Sequence, residues 1–269
     1  MSIACSRMYD VTPQVKAAWT ELFHWVSSES GVDLEVYEHK APAPMEDLWS
    51  RTDIGCVFMC GWPFAGWEPT PKIVCAPILS SERYRGRPNY VTDFVVRKDG
   101  EIQTLKDCFG GRLGWTVDHS HSGYNAPRHH LQAFTSPNSR RLFGESIGPL
   151  VTPRAVIAAL LEDRLDVGPL DGWFLDLLRV NEAETAEKLR VVDTTEPSPI
   201  PPLVAHHDIS PSDLEKLRNG FIAAADAPAL RPVLKTLLIK EFVVPNAGDY
   251  VHMLDWAESA VRAGYPIPA

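Results

Sequence analysis

The stretch whose residue types and spacing best suit ligand chemistry is LGWTVDHSHSGYNAP, residues 113–127. The pattern predicts a strand that ends at Val117, then a polar, glycine-bearing turn, then a helix that begins near Tyr124. Ser120 and Ser122 would then lie beside unpartnered backbone N–H groups at a helix N-terminus, where the helix dipole favours negative charge. The turn therefore predicts an anion site. The alternative is that Ser122 only caps the helix.

Two further segments place polar or aromatic side chains at the ends of predicted strands. In VGPLDGWFLDLL (167–178), Asp171 follows an apolar strand, and open α/β sheets bind ligands at the carboxyl ends of their strands. The alternative is that Asp171 is the N-cap of the next helix. In CGWPFAG (60–66), Trp62 and Phe64 either form the wall of a cleft or pack in the core.

Two motifs suggest a hydrolase nucleophile and a metal site, but the surrounding sequence supports neither. Residues 144–148, GESIG, match the nucleophile-elbow pattern of hydrolases, but Pro149 follows where the elbow needs a helix. No zinc-type spacing supports a metal site in the second group, which comprises Asp118, His119, His121, His129 and His130. The chain has no G-x-G-x-x-G and no P-loop motif. We therefore expect no metal, no cofactor and no catalytic residue.

Charge and hydropathy exclude two classes of partner. Lys and Arg number 26 against 35 Asp and Glu, a formal net charge of −9, so the chain lacks the basic footprint of a nucleic-acid binder. No apolar run approaches the roughly 20 residues that span a bilayer, which argues against membrane insertion. The five cysteines form no CxxC pair, and we expect Cys56, Cys60, Cys75 and Cys108 to be free thiols.

The elements that must position these residues alternate along the chain. Thr12 and Pro13 predict the start of an amphipathic helix that ends at Gly31, and strand-like and helix-like segments follow in turn. Alternation of this kind predicts an α/β fold with mostly parallel sheet. Residues 90–190 form a compact βαβ set of their own, which predicts a second domain inserted into a discontinuous first one.

Several of these segments together resemble one known family. They are MYDVTPQVKAAW (8–19), DIGCVFMCGWPFA (53–65), residues 89–127, RLDVGPLDGWFLDLLR (164–179) and LRVVDTTEPSPIPPLVAH (189–206). In this order they resemble the phosphate, phosphite and phosphonate substrate-binding proteins of ABC importers, over most of residues 1–225. The resemblance implies a two-lobed type II periplasmic binding protein fold, with lobe 1 at 1–88 and 191–269 and lobe 2 at 89–190. Its most specific parts are S-x-S-G-Y and D-V-G-x-x-D.

The resemblance also implies a ligand site in a cleft between the lobes. The residues that match the family's ligand contacts are Tyr9, Trp62, Tyr90, Ser120, His121, Ser122 and Asp171. Where the family often carries a histidine at the start of a helix, this chain has Thr152-Pro153-Arg154, and Thr152 is the candidate substitute. An ABC permease is the implied partner, and we expect a monomer.

These observations predict a solute-binding protein for a small anion, namely a phosphonate, a phosphate or a phosphate ester. A carboxylate at Asp171 would select a ligand that carries a proton or an ammonium group. Two alternatives stay open at this stage: an enzyme on the same fold, using Cys60 or a turn histidine, and a cytoplasmic sensor. The resemblance implies a periplasmic location, whereas no secretory signal is visible near Met1.

Overall fold

The computed structural model describes residues 1–136 and 140–269, and they form two compact units. Unit 1 comprises Met1–Asn89 and Pro199–Tyr250, and unit 2 comprises Tyr90–Ser198 and Val251–Ala269. The expected lobe boundaries differ from these at three places, because residue 89 had been expected in lobe 2 and residues 191–198 and 251–269 in lobe 1. Both segments find their packing partners in unit 2, as described below.

Strands and helices alternate as the sequence predicts. The strands are β1 Ser2–Cys5, β2 Leu34–Val36, β3 Ile54–Phe58, β4 Lys72–Leu79, β5 Asn89–Tyr90, β6 Thr92–Arg97, β7 Arg112–Gly114, β8 Glu145–Ile147, β9 Gly168–Asp171, β10 Leu189–Thr194, β11 Ser198–Pro199, β12 Leu203–Ala205 and β13 Ile239–Val243. The helices are α1 Pro13–Ser30, α2 Met45–Trp49, α3 Gly61–Gly66, α4 Ala126–Leu131, α5 Pro153–Leu161, α6 Gly172–Asn181, α7 Ala183–Ala186, α8 Pro211–Ala224, α9 Arg231–Leu237 and α10 His252–Arg262.

Unit 1 is built on a mixed sheet in the order β13-β4-β12-β3-β1-β2. The pairs β1–β2 and β1–β3 are parallel, whereas β12 pairs antiparallel with both β3 and β4, and β13 is antiparallel to β4. The α/β prediction is confirmed, but the expected mostly parallel sheet is wrong. β12 and β13 follow the inserted unit in the chain, and both run in the direction opposite to β3 and β4.

The long helix α1 of unit 1 shows how local sequence rules produce an element. Thr12 caps it by accepting a hydrogen bond from Val15 N at 3.2 Å, Pro13 occupies its first position, and Gly31 ends it at φ +67°. Its apolar face, from Val15 to Val26, is fully buried and contacts α8 and α9. The helix boundaries and the buried face agree with the sequence prediction.

Unit 2 contains a three-stranded antiparallel sheet in the order β10-β6-β9, with β7 and β8 paired in parallel beside it. Residues 189–194 belong to this unit because β10 pairs with β6 along its length. Residues 251–269 belong to it because α10 packs on α4 and on the turn that precedes α4. The chain therefore passes between the units three times, at residues 89–90, 198–199 and 250–251.

Candidate functional site

The DHSHSG turn of unit 2 folds into a π-helical turn, His121–Asn125, which runs directly into α4. The helix therefore begins three residues before the predicted start at Tyr124. Ser120 is its N-cap: the Ser120 hydroxyl accepts a hydrogen bond from Gly123 N at 3.0 Å, and Asn125 N donates to the Ser120 carbonyl at 3.0 Å. The capping role that the sequence offered to Ser122 belongs to Ser120.

The Ser122 hydroxyl is available to bind a ligand. Ser122 is 8% exposed, and no group in the described parts of the chain hydrogen-bonds to its hydroxyl. Its carbonyl is held in place, because the Thr92 hydroxyl donates to it at 3.1 Å. The N–H groups of His121 and Ser122 lie in the first helical turn, where backbone donors have no partner within the helix. A hydroxyl and backbone donors thus converge where the helix dipole favours an anion.

A threonine that the sequence analysis did not single out lies against this turn. Thr116 is 5% exposed, and its buried hydroxyl has no hydrogen-bond partner among residues 1–136 and 140–269. The same hydroxyl lies 1.9 Å from the point where a Cβ on Gly123 would stand. The glycine of the S-x-S-G motif is therefore required by close packing against Thr116. Only the folded structure brings the two residues together.

Asp171 ends β9 and caps α6, as the alternative interpretation proposed. It is 7% exposed, and its Oδ1 accepts a hydrogen bond from Phe174 N at 3.0 Å. In the antiparallel ladder Asp171 is paired with Thr92, the residue whose hydroxyl holds the Ser122 carbonyl. One residue of β6, Thr92, therefore pairs with Asp171 and hydrogen-bonds to the turn that carries Ser122.

His121 lies in the interior of unit 2 and is 0% exposed. Its Nε2 is 3.0 Å from the Ser198 hydroxyl, and its Nδ1 accepts from the Asn125 amide at 3.4 Å. Asn125 is itself oriented, because its amide also donates to Met253 O at 2.9 Å and its Oδ1 accepts from Arg128 at 3.1 Å. These contacts select the neutral imidazole with its proton on Nε2.

The surroundings of His121 strongly favour that neutral form. Burial, together with smaller effects of the nearby His252 and His129, lowers the pKa of His121 to about 3. The ring also stacks on Trp256 of α10 with centroids 5.6 Å apart. The structure therefore gives His121 the contacts of a residue that positions the serine turn, and its assignment as a ligand contact stays a prediction.

The remaining predicted contacts lie in both units. In unit 2, Tyr90 is 1% exposed, and its ring centroid lies 6.3 Å from that of His121. In unit 1, Tyr9 is 1% exposed and packs edge-on against Phe58, and Trp62 on α3 is half-buried. Phe64, the second aromatic residue of the CGWPFAG segment, is a core residue against Tyr250. Unit 2 thus brings together Tyr90, Ser120, His121, Ser122 and Asp171.

The motifs that had suggested other chemistry have structural roles. Ser146 lies in β8, where its hydroxyl donates to Pro268 O at 2.6 Å and accepts from Trp115 Nε1 at 3.1 Å, so it is not on a nucleophile elbow. His129 contacts Glu196 at 3.2 Å and His130 contacts Asp193 at 3.0 Å. All five cysteines are buried and none forms a disulfide, which confirms the thiol prediction for Cys56, Cys60, Cys75 and Cys108.

Thr152, the candidate substitute for the family's histidine, is an N-cap. Its hydroxyl accepts a hydrogen bond from Ala155 N at 3.1 Å at the start of α5, and Pro153 occupies the first helical position. The adjacent Arg154 forms two hydrogen bonds to Glu182, at 2.8 and 2.7 Å. The local contacts of Thr152 are therefore those of a helix start.

The fold is that of the type II periplasmic binding proteins. The chain aligns with a binding protein component of an ABC phosphonate transporter from Pseudomonas aeruginosa at a TM-score of 0.80, with 16% identity, covering 98% of this chain and 87% of that one. It aligns with PhnD1 from Prochlorococcus marinus in complex with methylphosphonate at 0.79, with 16% identity, covering 97% and 98%. The GluR0 ligand-binding core from Nostoc punctiforme gives 0.58, with 12% identity, covering 88% and 97%. At these identities the likeness establishes the fold alone.

The amino-acid sequence itself identifies the family. Residues 10–250 match the family described as ABC transporter, phosphonate, periplasmic substrate-binding protein, and the chain belongs to it. The resemblance noted from the sequence is thereby confirmed. The family and the structural neighbours are binding proteins rather than enzymes. A comparison with curated proteins found no match. In the described parts of the chain, no helix has both the length and the apolar character needed to cross a membrane.

Proposed function

We propose that this protein captures a small phosphonate or phosphate-type anion at the N-terminal turn of the helix His121–Leu131 and delivers it to an ABC permease. The Ser122 hydroxyl is the observation that carries the proposal, because it is nearly buried and has no partner in the described parts of the chain, at the end of a helix that favours anions. Membership of the family supports delivery to a permease and action in the periplasm. The assignment of Tyr9 and Trp62 of unit 1 as ligand contacts stays a prediction.

The position of Asp171 narrows the ligand further. A carboxylate at the residue that pairs with Thr92 repels a fully ionised dianion near the Ser122 turn. It accepts a hydrogen bond from a protonated phosphoryl oxygen or from a ligand ammonium group. An aminophosphonate or a monoprotonated phosphonate therefore suits the site better than sulfate. Calorimetry in which sulfate binds as tightly as methylphosphonate would overturn this selection.

The pair Ser120 and Ser122 provides a direct test of the site. We expect Ser122→Ala to weaken methylphosphonate binding by about 1.5–3 kcal/mol, because a hydrogen bond to a charged ligand is lost. The ligand-free protein should keep its stability, since no described group uses that hydroxyl. Ser120→Ala should instead lower the stability by about 1 kcal/mol, because it removes the cap on Gly123 N. Calorimetry and thermal melting measure the two effects.

Ser210→Ala is the matched control for this experiment. Ser210 caps α8 in unit 1 by accepting from Asp213 N at 3.0 Å, so its loss removes an equivalent cap at a helix that the proposal does not use. It should lower the stability and leave the affinity unchanged. An affinity of Ser122→Ala equal to that of the wild type would contradict the proposed site.

The ligand itself can be identified without assuming its class. Binding proteins of this kind that retain ligand through purification release it on denaturation, and mass spectrometry of the released small molecules names it. We expect a phosphonate, a phosphate or a phosphate ester. Release of an amino acid or a sugar, together with no binding of methylphosphonate, would refute the proposed ligand class.

A further inference from the structure

Three consecutive side chains of unit 1, His206, His207 and Asp208, converge just after β12. His207 Nε2 lies 3.2 Å from Asp208 Oδ2, and His206 Nδ1 lies 3.9 Å from the same oxygen. One donor atom from each residue lies within 4.8 Å of the other two. Two imidazole nitrogens and a carboxylate oxygen thus lie close together.

The backbone fixes the turn that carries these side chains. His206 N donates to Ile54 O at 2.9 Å, and Ile209 N donates to His206 O at 3.1 Å. The next residue, Ser210, caps α8. The three side chains therefore project from a short segment held at both ends, by β3 and by α8. Such a segment loses little conformational freedom when it binds an ion.

The hydrogen bonds show which tautomer His206 adopts. The backbone N–H of Asp208 donates to His206 Nδ1 at 3.2 Å, so the proton is on Nε2 and the lone pair of Nδ1 accepts this hydrogen bond, which an ion bound at Nδ1 must displace. A metal ion binds a ring nitrogen through that lone pair. The side chains of His206 and His207 are 20% and 32% exposed, and that of Asp208 is 76% exposed. An ion can therefore enter from solvent and keep water in its open positions.

We propose that His206, His207 and Asp208 bind one divalent transition-metal ion of the zinc type, through Nδ1, Nε2 and a carboxylate oxygen. Metal–ligand distances of about 2.0–2.2 Å place neighbouring tetrahedral ligands roughly 3.3 Å apart. The observed 3.2 Å matches this separation, whereas the 3.9 Å pair must close by about 0.6 Å and the two ring nitrogens, which lie within 4.8 Å of each other, must also approach. Imidazole ligands favour zinc, nickel or copper over calcium or magnesium, which prefer oxygen ligands alone.

Titration of the metal-free protein with Zn²⁺ by calorimetry tests the proposal. We expect one site, together with a Co²⁺ complex whose visible absorption has the intensity of tetrahedral coordination. His207→Gln should weaken Zn²⁺ binding by about tenfold or more, because groups that merely orient a metal ligand already contribute that much. His24→Gln is the control, since His24 is exposed on α1.

The outcomes separate clearly. One Zn²⁺ per chain, weakened by His207→Gln and unchanged by His24→Gln, supports the site. Equal Zn²⁺ binding by the wild type and His207→Gln places the ion elsewhere, for instance at His119 and Asp118, and overturns the proposal. No saturable Zn²⁺ binding, or Ca²⁺ binding as tight as Zn²⁺ binding, also overturns it. Melting of each variant without metal shows whether it is folded.

Discussion

Gly123→Ala is expected to destabilise unit 2 by about 1–3 kcal/mol, the range for overpacking a tightly packed site, and to abolish methylphosphonate binding. The added Cβ would stand 1.9 Å from the Thr116 hydroxyl and 3.0 Å from both the Thr116 Cβ and the Ser120 hydroxyl. The turn must therefore shift, and with it the Ser120 cap and the donors beside Ser122. Urea unfolding and calorimetry measure the two losses.

A second substitution makes this prediction specific. Thr116→Ala removes the atom that clashes, and it also removes a buried hydroxyl that has no partner in the described parts of the chain, so alone it should be neutral or stabilising. The double variant should regain part of the lost stability, which a double-mutant cycle detects as a coupling energy. Gly100→Ala is the control, because its Cβ would meet only Arg97 O at 3.6 Å. Additive effects of Gly123→Ala and Thr116→Ala would contradict the proposed clash.

Unit 2 is expected to lose stability as the pH falls below 6.5, and His121 should dominate this loss. In the unfolded chain the histidine takes up a proton near pH 6.5, whereas in the folded unit burial lowers its pKa to about 3. The unfolded state therefore binds more protons between these values. The contribution of His121 is complete above pH 6.5, and it declines by about 1.4 kcal/mol per pH unit as the pH falls towards 3.

The contribution of His121 can be isolated with a residue that does not titrate. Hydrogen exchange of the helix His121–Leu131, compared between the wild type and His121→Gln from pH 5 to 7, reports local stability in that unit. Burial also lowers the pKa of His129, while Glu196 raises it, so the slope of the wild type includes both histidines. The difference between the variants isolates His121, and His24→Gln should retain the wild-type slope. Equal slopes for the wild type and His121→Gln would disprove the assignment.

Local rules predicted the helix starts well. Thr12, followed by Pro13, was predicted to begin α1, and its hydroxyl accepts the expected backbone hydrogen bond. Thr152 and Ser210, each also followed by proline, cap α5 and α8 in the same way. The apolar runs IGCVF and KIVCAPIL form β3 and β4. These features depend on residues close in sequence, whose preferences one chain displays directly. The family resemblance added the overall fold.

Features that depend on distant parts of the chain were predicted less well. Ser120 and Ser122 are equally good caps by composition, and only the π-helical geometry, in which Asn125 bonds to Ser120, assigns the role to Ser120. Thr116 was missed because its proximity to Gly123 arises from packing. The sheet directions and the place of residues 251–269 depend on pairing between elements far apart in sequence, which periodicity does not encode.

The place of residues 251–269 in unit 2 constrains the order in which the chain can fold during synthesis. The helix His121–Leu131 relies on acceptors from this segment: Arg128 donates to Pro266 O at 2.8 Å, and Asn125 donates to Met253 O at 2.9 Å. More than a hundred residues separate the donors from these acceptors. At roughly 5–20 residues per second, a ribosome needs roughly 6–28 seconds to supply them. Until then the buried guanidinium of Arg128 lacks the Pro266 carbonyl, so the turn that carries Ser122 completes its hydrogen bonds only after the residues up to Pro266 have been made.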